Sequence, residues 1–284
     1  MKGILAFAVL LIYGGFTTTD TVISRFKAPQ GYQQVKVEPG SFADYLQSLP
    51  LKPVGTQTKT YKGDVAATDV YTAAVVDISV GHEDLQQCAD VVMRLRGEYL
   101  YHQKRYNEIS FHFESGFQCD YIHYADGYRY HNDRWVLKAK KDYGYPTFMH
   151  YMNLVFAYAG TLSLQKELKS VKKANDLKAG DVFIKGGSPG HCFIVMDVVE
   201  NSQHKKQFLL AQSFMPAQNL QVLQCPSPWF SLDKRSDILY GELIDKAYLR
   251  RFENESLNKF YSAIGIPTSA ISSPFYNPNP GNQS

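Results

Sequence analysis

Cysteine, histidine and an amide side chain are the parts from which a thiol nucleophile is assembled, and the 284-residue chain offers one such set in Cys88, His191 and Gln212. A cysteine attacks carbonyl carbon as the thiolate, so its pKa must fall. A helix N-terminus supplies part of that fall through its partial positive charge, and a neighbouring imidazolium supplies more. A third polar side chain then holds the imidazole ring. The chemistry open to such a set is acyl transfer, with Cys88 attacking, His191 taking and returning the proton, and Gln212 orienting the ring. The backbone N–H of Cys88 would contribute to an oxyanion hole.

Two segments must bring these residues together. Over residues 84–105, Leu85, Cys88, Ala89, Val92, Leu95 and Tyr99 recur at spacings of three and four, which gathers them on one helical stripe. Asp84 with Gln87 three residues later predicts a capping box, with Cys88 in the first turn. Residues 176–218 read as a turn, a short strand at 182–184, a glycine-proline loop at 186–190, a buried strand at 193–199 and a return strand at 207–214. His191 stands where the glycine loop feeds the buried strand. If the hairpin turns through residues 200–203, His191 faces Gln212 on the same side of the sheet; a one-residue slip would separate them. Gly187 and Gly190 let the backbone approach a ligand closely and are candidate ligand-binding positions.

Each of these residues also has a structural reading. Cys88 lies on the apolar stripe, and free cysteine is among the most buried residue types. His191 fits a core histidine bonded to the glycine loop, and Gln212 a cross-strand hydrogen-bonder. Asp197 interrupts the apolar strand and needs a partner if buried. Asp181 fits the end of the turn before its strand, and Cys192, following His191, points to the opposite face. The tyrosine-rich residues 121–130 fit sheet packing or a carbohydrate-stacking surface.

Hydrophobic residues at 44%, charged residues at 20% and a net charge of +3 describe a globular chain without the basic excess of a nucleic-acid binder. Lys2, the apolar run at 4–12 and the small residues after it predict a signal peptide over 1–19, hence a secreted or periplasmic protein without a membrane span after cleavage. The expected organisation is then a single α+β domain over 20–257 and a disordered, proline-punctuated tail over 258–284. Further helices are expected at 41–49 and at 148–171, the latter broken at Gly160; strands at 65–80 and 106–136; and a last strand and helix at 238–252. Cys88, Cys119, Cys192 and Cys225 allow two disulfides in three connectivities. The cysteines and histidines lack zinc spacing, so neither a metal nor another cofactor is expected.

The run DLKAGDVFI, the Gly-His pair opening an apolar strand and the polar residue on the return strand resemble the catalytic sheet of NlpC-type papain-like cell-wall peptidases. The resemblance implies an antiparallel sheet packed on helices, a Cys–His–polar order matched by Cys88, His191 and Gln212, and a peptide or cell-wall fragment as partner. QCADVVMRLRGEYLY, YAGTLSL, GDVFIKGGSPGH, LLAQSFMPAQ and SPWF are more specific, and in them the chain resembles an uncharacterised family of exported bacterial proteins. Two functions follow as expectations: a papain-like thiol hydrolase (peptidase or amidase) acting on cell-wall peptides, or a non-catalytic exported ligand-binding module using the glycine loop and His191.

Overall fold

A computed structural model describes residues 20–253; the expected signal peptide (1–19) and tail (258–284) lie outside the described residues. The chain starts with a one-turn helix α1 (Val22–Arg25), a short strand β1 (Tyr32–Gln34) and helix α2 (Phe42–Ser48), where a helix was expected. Ser41 caps α2 by accepting the Asp44 N–H at 3.2 Å. Strand β2 (Thr72–Val75) is the regular part of the apolar segment at 65–80. The long helix α3 (Cys88–His102) follows, then a hairpin of β3 (Ser110–His112) and β4 (Gln118–Asp120).

Residues 106–136 do not run only as strands. Asp120 accepts the His123 N–H at 2.9 Å and so starts a short helix, α4 (Tyr121–Ala125), before the hairpin of β5 (Tyr128–Tyr130) and β6 (Trp135–Leu137). Tyr121 and Tyr124 of this stretch are buried against α5, which favours packing for them over a stacking surface. Helices α5 (Tyr145–Tyr158) and α6 (Thr161–Glu167) are separated at Gly160, as the sequence predicts. The strands β7 (Lys169–Ser170), β8 (Val182–Lys185), β9 (His191–Asn201), β10 (Lys206–Gln212), β11 (Gln221–Leu223), β12 (Trp229–Phe230) and β13 (Leu249–Arg251) complete the chain. Residues 238–252 hold two single 3-10 turns before β13 and no α-helix.

The fold is α+β. Its antiparallel sheet runs β2-β11-β10-β9-β8-β13-β7, with β1 against the far end of β9 and β12 against β10. One sheet face packs Cys192, Ile194 and Met196 with α2, α3 and α5; the other packs Phe193, Val195 and Val198 with Phe208, Leu210 and the segments around Ile238 and Leu243. This two-sided burial explains why β9 reads as an almost continuous apolar run. Helix α3 is buried from Cys88 to Leu100, its charged residues included. Arg94 and Glu98 pair at 3.3 Å, and the Tyr145 hydroxyl donates to Glu98 at 2.6 Å. Among the described residues no helix is long and apolar enough to cross a membrane.

Candidate functional site

Helix α3 starts four residues later than the expected start at residue 84. Gln87 is extended (φ −93°, ψ −157°), and its N–H donates to Asp90 Oδ2 at 2.9 Å, so Cys88 is the first helical residue. The expected capping pair serves a tertiary contact instead, for Asp84 Oδ1 accepts the Ala217 N–H at 2.6 Å and the Gln87 amide at 3.2 Å. Ser213 adds a second tie, donating its hydroxyl hydrogen toward the Gln86 carbonyl (3.0 Å) and the Gln218 carbonyl (2.8 Å). The loop that presents Cys88 is thereby fastened to the segment that follows Gln212.

The hairpin turns through residues 202–205, slightly beyond the expected 200–203. Its register starts as Lys206↔Glu200 and Leu209↔Asp197, then passes to Leu210↔Val195 and Ala211↔Ile194. Met196 is the extra residue of a β-bulge. Continued unbroken, the first register would set Gln212 opposite Ile194, on the helix side of the sheet. The bulge shifts it opposite Phe193, and Gln212 meets His191 diagonally: His191 Nε2 and Gln212 Oε1 lie 2.7 Å apart. An amide oxygen only accepts, so Nε2 carries the proton and the Nδ1 lone pair remains for a thiol.

Cys88 and His191 are neighbours, and both are deeply set, with 7% and 1% exposure. The Cys88 thiol is held well below its ordinary pKa, chiefly by the hydrogen bond from Cys192; burial opposes this, and His191 adds to the lowering by hydrogen bond and charge. Cys192 moves the other way through its bond to Cys88 and its complete burial. Of the two thiols, Cys88 is the more acidic. Burial pushes the Asp90 carboxyl well up.

His191 lies among three rings: Phe193 (4.7 Å between centroids), Phe214 (5.1 Å) and Tyr240 (4.8 Å, nearly parallel). Tyr240 is left-handed (φ 61°), a conformation an aromatic residue adopts only when its surroundings impose it. Beside the Cys88 loop a groove of about 1070 Å³ is lined by Gln86, Arg94, Glu98, Tyr145 and His150. Arg94 donates to Gln86 Oε1, which leaves the buried Gln86 Nε2 without a partner among the described residues.

The structure thus brings Cys88, His191 and Gln212 together. The candidate ligand positions lie further out: Gly187 is exposed at φ 113°, and its N–H and carbonyl both lie 3.3 Å from Thr161 Oγ1 at the start of α6. Gly190 has its close approach within the protein. A Cβ there would sit 2.3 Å from the Gly187 carbonyl oxygen and 2.4 Å from Thr161 Oγ1. Gly190→Ala is accordingly expected to cost about 2 kcal/mol and to displace His191; a thermal melt matching the parent protein would refute this packing.

Asp197 is buried and has partners there. It accepts from Gln47 of α2 at 2.6 Å and from the Val198 N–H at 2.8 Å. Asp181 accepts from Arg251 and from the Lys178 N–H, closing the turn before β8 as its sequence position suggests. The four cysteines are free, and among the described residues no His/Cys/Asp/Glu cluster could hold a metal ion. Sequence reasoning missed Cys192 and Tyr240. Cys192 had a signal, since the face opposite His191 is the face on which the helical stripe of Cys88 packs. Tyr240 had none, being far away in sequence.

A family model described as domain of unknown function (4846) matches residues 22–251. No curated protein and no solved structure matches the chain.

Proposed function

We propose that this chain, which belongs to that family of unassigned function, is a thiol hydrolase of papain-like type, a peptidase or amidase acting outside the cytoplasm on cell-wall peptides. One observation carries the reading: Cys88 opens a helix beside His191, whose far nitrogen is engaged by Gln212 at 2.7 Å. The Cys88 thiolate attacks the carbonyl carbon, with its proton on His191 Nδ1. The backbone N–H of Cys88, the first residue of α3, would contribute to the oxyanion hole. His191 returns the proton to the leaving amine, and water then hydrolyses the thioester with His191 as base. The groove beside Gln86 has the size of a site for a short peptide.

A second reading has its own support in the depth of the pair. Phe214 and Tyr240 cover His191, an arrangement suited to a non-catalytic module that holds a ligand at the outer loops, Gly187 among them. Alkylation of the native protein separates the two. Iodoacetamide at about pH 6.5 is expected to modify Cys88 ahead of the half-exposed Cys225 and long before the buried Cys119, whose thiol burial pushes up. Peptide mass spectrometry reads the order. If Cys88 stays unmodified until the protein unfolds, the hydrolase reading fails and the binding module stands.

A further inference from the structure

The hydrolytic reaction uses one sulfur as its nucleophile, and a second, that of Cys192, stands beside it. Cys192 Sγ lies 3.3 Å from the Cys88 carbonyl oxygen, to which its S–H donates. The two residues come from different elements, the first turn of α3 and the first turn of the pleat in β9. They belong to one buried cluster, and no disulfide joins them. Cys88 retains 7% exposure, whereas Cys192 has none.

That asymmetry fits a specific division of labour. A thiolate with a little exposure is open to a small oxidant, and a thiol sealed behind it meets only what forms on its neighbour. We propose that Cys192 is a resolving thiol and that Cys88 and Cys192 form a reversible disulfide when a peroxide oxidises Cys88. The Cys88 sulfur displaces one oxygen of hydrogen peroxide, giving sulfenic acid and water. The Cys192 sulfur then attacks the Cys88 sulfur, forming the S–S bond and releasing a second water. Overall two thiols lose two hydrogens to one peroxide, and an external dithiol returns them by exchange. The disulfide would hold the nucleophile out of action and guard it from irreversible oxidation. The inference shares Cys88 with the proposed function but does not depend on hydrolysis, because it needs only a reactive sulfur beside a second one.

The test is made on the full chain with hydrogen peroxide in slight excess. The protein is expected to become about 2 Da lighter, with one linked peptide pair containing Cys88 and Cys192, and dithiothreitol should restore iodoacetamide capture of Cys88 to its starting rate. Cys192→Ser, which keeps a donor toward the Cys88 thiol, should form no such link. Its Cys88 should advance to sulfinic acid, and capture should not return with dithiothreitol. Cys192→Ala, which should also form no link, serves as a second variant if the serine protein melts early. Peroxide treatment that takes the parent Cys88 to sulfinic acid with no link, or that links another pair, overturns the proposal. If the link forms but Cys88 capture is indifferent to His191, the resolving pair stands and the hydrolase reading fails; the reverse result leaves the hydrolase alone.

Discussion

His191→Gln is expected to slow iodoacetamide capture of Cys88 by about 100-fold at pH 6.5, the scale of a lost acid–base partner. Glutamine is the informative substitution because it donates to Gln212 Oε1 and fills much of the ring's volume, yet offers no basic nitrogen. Alanine would leave Gln212 Oε1 buried and unpaired and open a gap among Phe193, Phe214 and Tyr240, at a cost of about 3 kcal/mol, and its slower reaction would be mixed with unfolding. The pH profile makes the claim stricter. The parent thiol lies well below its ordinary value, so its capture should persist to lower pH than that of an ordinary thiol. In His191→Gln the fall should begin at a higher pH than in the parent, because the hydrogen bond and charge of His191 are lost while the larger contribution of Cys192 remains. Gln212→Ala removes one hydrogen bond of about 1 kcal/mol, and a roughly fivefold slowing is the corresponding expectation. Rates and profiles that do not distinguish these variants from the parent protein would mean that His191 is a core residue only.

How much of this arrangement the sequence displays depends on the range over which each contact acts. The stripe of α3, the break at Gly160 and the β8–β10 run are local periodicities, and they appear where the spacing puts them. The first-turn position of Cys88 is legible too, although its cap is formed by Gln87 and Asp90 because Asp84 is drawn to Ala217, which is remote in sequence. The pairing of His191 with Gln212 depends on the bulge at Met196, and nothing in a run of apolar residues announces an extra one. Asp197 is its only trace. The bulge turns Met196 and Asp197 both toward the helices, where Gln47 of α2 supplies the carboxylate's partner. The Cys88–Cys192 contact and the stacking of Tyr240 on His191 arise from tertiary packing, which single-sequence patterns do not encode.

The Gly180–Asp181 pair anchors the sheet, and Arg251→Met should expose this with a loss of about 3 kcal/mol at pH 7. Asp181 has no exposure; Arg251 reaches it from β13 with Nε–Oδ1 at 2.5 Å and a second bond of 2.8 Å to Oδ2, while the Lys178 N–H donates to Oδ2 at 3.0 Å. Burial raises the Asp181 pKa and Arg251 opposes that rise, so removing the guanidinium raises it further. The sign of the pH dependence follows. A carboxyl whose folded pKa exceeds its unfolded value binds a proton on folding, so stability falls as pH rises through that interval. The deficit of Arg251→Met should therefore be largest at neutral pH and shrink as the medium is acidified toward about pH 4.5 and Asp181 takes up its proton. Adding Asp181→Asn replaces the orphaned charge with a neutral amide whose oxygen still accepts from Lys178, and most of the lost stability should return at pH 7. Urea unfolding of the two variants at both pH values gives the comparison. A deficit that is constant with pH, or a double variant no more stable than Arg251→Met, would show that the strand β13 is held by packing and that the buried charge has no part in it.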